Sequence, residues 1–121
     1  MIKKYWYSHS WSEFEVQSLA YTILRKALYP KFLIRGEFKF SKNYCSQSRG
    51  CRVDIAIFTP WIEQAPPKLL LVIEVKKGIK SRSETQGKRY SDLLGVPYLY
   101  IRGKTDAFNI LELIQPYISN I

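Results

Sequence analysis

Histidine and cysteine are scarce in this chain, and acidic residues are outnumbered. His9 is the only histidine among 121 residues, and Cys45 and Cys51 are the only cysteines. With one histidine and no Gly-flanked serine elbow, Ser-His-Asp and Cys-His catalysis lack their parts. The cysteines stand six apart in a polar stretch containing Gly and Ser, with His9 remote in sequence, so structural zinc is short of ligands. A disulfide between them is disfavoured in a cytosolic chain. No phosphate-cradling glycine motif is present. No apolar run approaches the roughly 20 residues that cross a bilayer. The opening Met1-Ile2-Lys3-Lys4-Tyr5-Trp6-Tyr7 lacks the apolar segment of a secretory signal, so a cytoplasmic, soluble protein is expected.

What is abundant is positive charge. Lys and Arg number 19 against 10 Asp and Glu, a net charge of +9. On a small domain this favours a polyanionic partner, most often nucleic acid. Aromatics make up 15% of residues, with nine Tyr and three Trp, more than a core needs, and the surplus suits stacking on bases. Hydrophobic residues at 46% argue against disorder. The length suits one compact domain over residues 1–121, and no repeat or linker divides it.

The most informative stretch is Lys68 to Gly78. Six apolar residues, Leu69 to Val75 interrupted only by Glu74, follow Pro66-Pro67 and predict a strand buried on both faces. Glu74 and Lys76 are two apart, so on a strand they share a face. Burying either charge alone would cost several kcal/mol, roughly, unless it has a partner or a metal. A second misplaced charge, Asp54, stands near the start of Arg52–Thr59, a strand whose alternation sets Val53, Ile55 and Ile57 on one face and Asp54, Ala56 and Phe58 on the other. If these strands are hairpin neighbours across the Pro-rich connection Thr59–Pro67, Asp54 lies beside Glu74.

Around them the pattern predicts a helix from Ser10 to about Tyr29, with Val16, Leu19, Ala20, Ile23 and Ala27 at helical spacing and Pro30 closing it. Ser10 with Glu13 and Ser12 with Glu15 each offer a capping box. Glu13 projects within roughly 50° of the apolar stripe and Glu15 about 110° away, so Glu13 is better placed to reach a site on the sheet. Phe32–Phe40 predicts a strand passing from core to solvent, and Ser41–Gly50 a polar turn. A basic helix is expected over Ser81–Gly95 with Gly95 as C-cap, a strand over Val96–Ile101, and a last helix over Thr105–Ser119, capped by Thr105 or Asp106 and broken or kinked by Pro116. The order is α-β-β-β-α-β-α, an α/β fold.

Two acidic groups, a lysine and a basic surface suit phosphodiester hydrolysis, because hard carboxylate oxygens bind Mg²⁺ or Mn²⁺. Asp54 followed by Glu74-Val75-Lys76 resembles the signature of the PD-(D/E)xK nuclease superfamily, whose restriction-endonuclease-like core runs αβββαβ as a mixed sheet flanked by helices. Gln86-x-x-x-Tyr90 and Leu93-Leu94-Gly95-Val96-Pro97-Tyr98 are similar to the helix and strand after the lysine in branches that include the N-terminal nuclease regions of type I restriction subunits and related small nucleases. The resemblance covers residues 10–102, and Val53 stands where the signature has proline.

It implies a metal-dependent endonuclease acting on DNA with Mg²⁺, for which Mn²⁺ can substitute. Asp54, Glu74 and the carbonyl of Val75 would be metal ligands, Lys76 the catalytic lysine, and Glu13 the glutamate of the first helix that reaches the metal directly or through water. Gln86 would steady the site. Lys39, Lys42, Arg49 and Arg52 cluster around the Ser41–Gly50 loop, and Lys42, Arg49 and Arg52 with Lys77, Arg82, Lys88, Arg89 and Tyr90 are the expected nucleic-acid contacts. A homodimer or a place in a larger complex is the expected assembly. The competing expectation keeps the fold and drops the chemistry, as a nucleic-acid-binding subunit.

Overall fold

A computed structural model describes residues 11–40, 51–76, 92 and 94–118. Helix α1 (Glu13–Leu28) begins at Ser12, which forms a capping box with Glu15: the Glu15 N–H donates to Ser12 Oγ at 3.1 Å and the Ser12 N–H to Glu15 Oε1 at 2.9 Å. Two donors that a helix start leaves orphaned are thereby satisfied. Val16, Ala20, Leu24 and Leu28, four apart, form the buried stripe. The helix stops because Tyr29 precedes Pro30 and takes the extended conformation such residues prefer (φ −77°, ψ 138°).

Strands β1 (Leu33–Phe40), β2 (Cys51–Phe58), β3 (Leu69–Val75) and β4 (Tyr98–Ile101) form one sheet in the order β1-β2-β3-β4. The first two pairings are antiparallel and the third is parallel, so the fold is mixed α/β. A parallel step requires a crossover between β3 and β4. Most of the expected helix at Ser81–Gly95 falls on residues outside those described, but its end is visible: Leu94 is helical and Gly95 follows with φ +70°, the left-handed conformation of a C-cap glycine.

The sheet has two apolar faces, as the hydrophobic run Leu69–Ile73 of β3 requires. On one, Ile34, Ile55, Ile57, Leu71, Ile73, Val75 and Ile101 pack under α1 and the C-terminal helices. On the other, Phe40, Val53, Ala56, Leu69, Val72 and Leu94 form a second cluster, joined by Phe38, Phe58, Val96 and Tyr98. Fully burying each such Val, Leu, Ile or Phe contributes about 1.5–3 kcal/mol.

The predicted alternation of β2 is corrected at this point. Val53 belongs to the second cluster, not to the face of Ile55 and Ile57. Strand β1 does the same thing one strand over. Ile34 faces α1 and Gly36 lies under the Tyr21 ring of α1, whereas Phe38 and Phe40 face the other way. The register Gly36↔Ile55 and Phe38↔Val53 sets Glu37 opposite Asp54. Both strands turn over together at that step, and Glu37 absorbs the turn in the left-handed region at φ +49°.

The chain's end differs from expectation as well. In place of one helix over Thr105–Ser119 there are two short ones, α2 (Lys104–Phe108) and α3 (Ile110–Ile114), interrupted at Asn109 rather than at Pro116. Neither Thr105 nor Asp106 is the N-cap, which is Gly103. Ala107, Ile110 and Ile114, at helical spacing across the break, all reach the core under α1. No helix among the described residues is long and apolar enough to cross a membrane.

Candidate active site

The β2–β3 ladder ends at Ile55↔Ile73, one step short of Asp54 and Glu74. Beyond it a side chain replaces the backbone: Asp54 Oδ2 accepts the N–H of Val75 at 2.7 Å. That short, charge-assisted bond holds the aspartate to the strand carrying Glu74. The Asp54 carbonyl accepts Nε2 of Gln17 from α1 at 3.3 Å, so helix and strand fix it from two sides.

Glu74 is the only charged or polar residue fully buried among those described, at 3% exposure. Its Oε1 has no hydrogen-bond partner. Burial raises its pKa from an ordinary 4.5 to about 9, helped by the charge of Asp54 and a hydrogen bond between the two side chains. Lys76 and a backbone hydrogen bond from Asp54 pull it back down. Without a cation, therefore, Glu74 keeps its proton at neutral pH. Ionising Glu74 beside Asp54 is costly, and a divalent cation held by the two carboxyls would offset that repulsion and give the orphaned oxygen a partner. The donor set fits a hard ion in chemistry and in charge.

Lys76, half-buried, follows directly. Its N–H donates to the Ile101 carbonyl at 3.1 Å, and its own carbonyl accepts the Tyr100 hydroxyl at 3.3 Å. The register Glu74↔Tyr100 places this tyrosine on the next strand, on the face of the carboxyl pair. The Arg102 guanidinium carbon lies 5.2 Å from the centre of the Tyr100 ring, a cation–π contact.

The structure thus brings together Asp54, Glu74, Val75 and Lys76 at one end of the sheet. Glu13 does not join them as a third carboxylate. It is exposed on α1, and among the described residues no three His, Cys, Asp or Glu side chains gather to hold one ion. Glu15 is occupied in the capping box. The α1 side chain that reaches the site is Gln17, one turn beyond Glu13, and its signal in the sequence was a polar residue bordering the apolar stripe. Tyr100 and Arg102 went unnoticed too, although alternation in Tyr98-Leu99-Tyr100-Ile101-Arg102 sets them on one face. Arg52 is exposed at the base of the expected nucleic-acid loop, 3.6 Å from Glu37, and pairs across the hairpin with exposed Lys39. Lys42, Arg49, Lys77, Arg82, Gln86, Lys88, Arg89 and Tyr90 lie outside the described residues.

No family model, curated protein or solved structure matches the chain.

Proposed function

We propose that this chain is a metal-dependent nuclease of the PD-(D/E)xK kind that hydrolyses phosphodiester bonds of DNA. The observation that carries the reading is the buried Glu74 carboxyl with its unpartnered Oε1, set against Asp54 two residues before Lys76. Packing alone gives no reason to bury a second carboxyl against the first. The four-stranded mixed sheet, preceded by α1 and ending in a parallel strand, supports a restriction-endonuclease-like core.

In this reading Asp54, Glu74 and the Val75 carbonyl would hold Mg²⁺, for which Mn²⁺ could substitute, with Glu74 in its ionised form. Such an ion would supply Lewis acidity toward the phosphodiester and make water more acidic. Lys76 orients the attacking water and stabilises the negative charge that builds on the phosphoryl oxygens. Gln17 and the Val75 N–H keep Asp54 in place while that charge develops. The net charge of +9 draws in the polyanion. A cytoplasmic workplace, and a homodimer or larger complex in which each protomer cuts one strand, belong with the same reading.

The test is nicking and linearisation of supercoiled plasmid with Mg²⁺, Mn²⁺ or EDTA. Cutting is expected with either metal, none with EDTA, and losses of about 100-fold or more in Asp54→Asn and Lys76→Ala. Salt-sensitive binding with no cutting under any metal would instead identify a non-catalytic binding subunit.

A further inference from the structure

The strand β4 presents a pair that the catalytic reading leaves unused. Leu99 and Ile101 pack with the cluster under α1, and Tyr98 with the opposite cluster around Val72. Tyr100 and Arg102 therefore follow Tyr98 on the face of Glu74 and Lys76. Continuing the parallel register one step past Val75↔Ile101 sets Arg102 beside Lys76. Neighbouring strands lie about 4.8 Å apart, so the backbones of two cationic residues run side by side at this end of the sheet.

Their anchoring is unusually complete for a strand end. Both backbone polar groups of Lys76 are held by β4, the N–H by Ile101 and the carbonyl by the Tyr100 hydroxyl. The Arg102 N–H donates to Asp106 Oδ2 at 2.9 Å, which ties the residue to α2, and its guanidinium lies over the Tyr100 ring. A guanidinium stacked this way loses little rotamer freedom on meeting an anion, and its planar fork matches phosphate oxygens.

We infer that Tyr100 and Arg102 form the substrate-side half of the site: Tyr100 is a positioning residue that fixes the Lys76 backbone, and Arg102 binds the phosphate next to the scissile one on the same DNA strand. The inference rests on the nuclease reading and adds to it a binding subsite for a second phosphate. The two residues have separable effects. Tyr100 acts on the chemical step through Lys76, and Arg102 acts on binding through charge.

The experiment uses oligonucleotide cleavage with Mg²⁺ by the wild type, Tyr100→Phe and Arg102→Gln. Substrates carry a neutral methylphosphonate in turn at each phosphate flanking the cut. In the wild type, neutralising one flanking phosphate is expected to raise KM about 10-fold, and in Arg102→Gln by less than about 2-fold, because the partner charge is already gone. Tyr100→Phe, which keeps the ring under Arg102, is expected to lower kcat about 10-fold with KM within about 2-fold. Its Lys76 amide should also exchange hydrogen about 10-fold faster, with Ile73 unchanged. Equal methylphosphonate effects in wild type and Arg102→Gln, or a wild-type kcat in Tyr100→Phe, would overturn the inference while an active wild type kept the nuclease reading. A wild type that cuts nothing would overturn both.

Discussion

Glu74 pays for its position in free energy, and pH exposes the debt. Below about pH 4.5 its carboxyl is protonated in both folded and unfolded chains. Between there and about 9 the unfolded chain releases the proton while the folded one retains it, so stability falls as pH rises through that window. At pH 7 the cost is about 3 kcal/mol, from 1.36 kcal/mol per pH unit over the interval above 4.5. Glu74→Gln should remove that slope in EDTA, being more stable than wild type at pH 8 and closer to it at pH 5; parallel urea-unfolding profiles would refute this. If the carboxyl pair holds an ion, Mg²⁺ or Mn²⁺ stabilises the wild type and not Glu74→Gln. Asp54 carries a second, separable load, since Asp54→Ala strands the buried Val75 N–H. That should cost about 1–3 kcal/mol in metal-free protein. Asp54→Asn, which retains an acceptor oxygen, should cost less, and equal losses by thermal unfolding would show that the hydrogen bond is not what matters.

At the scale of elements, β1 and β2 turn over together at Glu37 and Asp54, beside the carboxyl pair, and this moves Val53 off the face of Ile55. Glu37 takes the conformational cost at φ +49°, which is about 1 kcal/mol for a residue with a Cβ. Its ion pair with Arg52 is exposed on both sides and contributes little. Glu37→Gly should therefore be neutral or stabilising by up to about 1 kcal/mol, and Glu37→Val destabilising, because β-branching is unfavourable at positive φ. A clear loss of stability in Glu37→Gly would place the importance in its side chain instead. On α1, Ser12→Ala removes the capping box and should cost about 1 kcal/mol, read by denaturant midpoint, without altering the carboxyl pair.

For the whole molecule, charge and topology set the behaviour. A net charge of +9 predicts DNA affinity that falls steeply, on the order of 10-fold or more, between about 50 and 200 mM salt, measured by anisotropy in Ca²⁺ or EDTA. A flat salt response would count against a nucleic-acid partner. Much of the layout was already legible in the sequence. Apolar period and capping residues placed α1 within three residues at its start and one at its end, and the apolar run of β3 announced burial on both faces. Asp54, Glu74 and Lys76 stood out because each is a charge in or at the end of an apolar strand, and strand periodicity put the last two on one face. Other features could not be read from local pattern. The inversion at Glu37 and Asp54 is a cooperative event between two strands, and neither strand's periodicity encodes it. Gln17 and Tyr100 became part of the site only when helix crossing and the parallel register set them against Asp54 and Lys76. By itself the sequence marked Glu74, with Asp54 and Lys76 near it, as charge set against apolar strands, because burial cost is a property of residue type. Tertiary structure alone decided which further groups meet them, Gln17 and Tyr100, because that depends on register, twist and the crossing of α1 over the sheet.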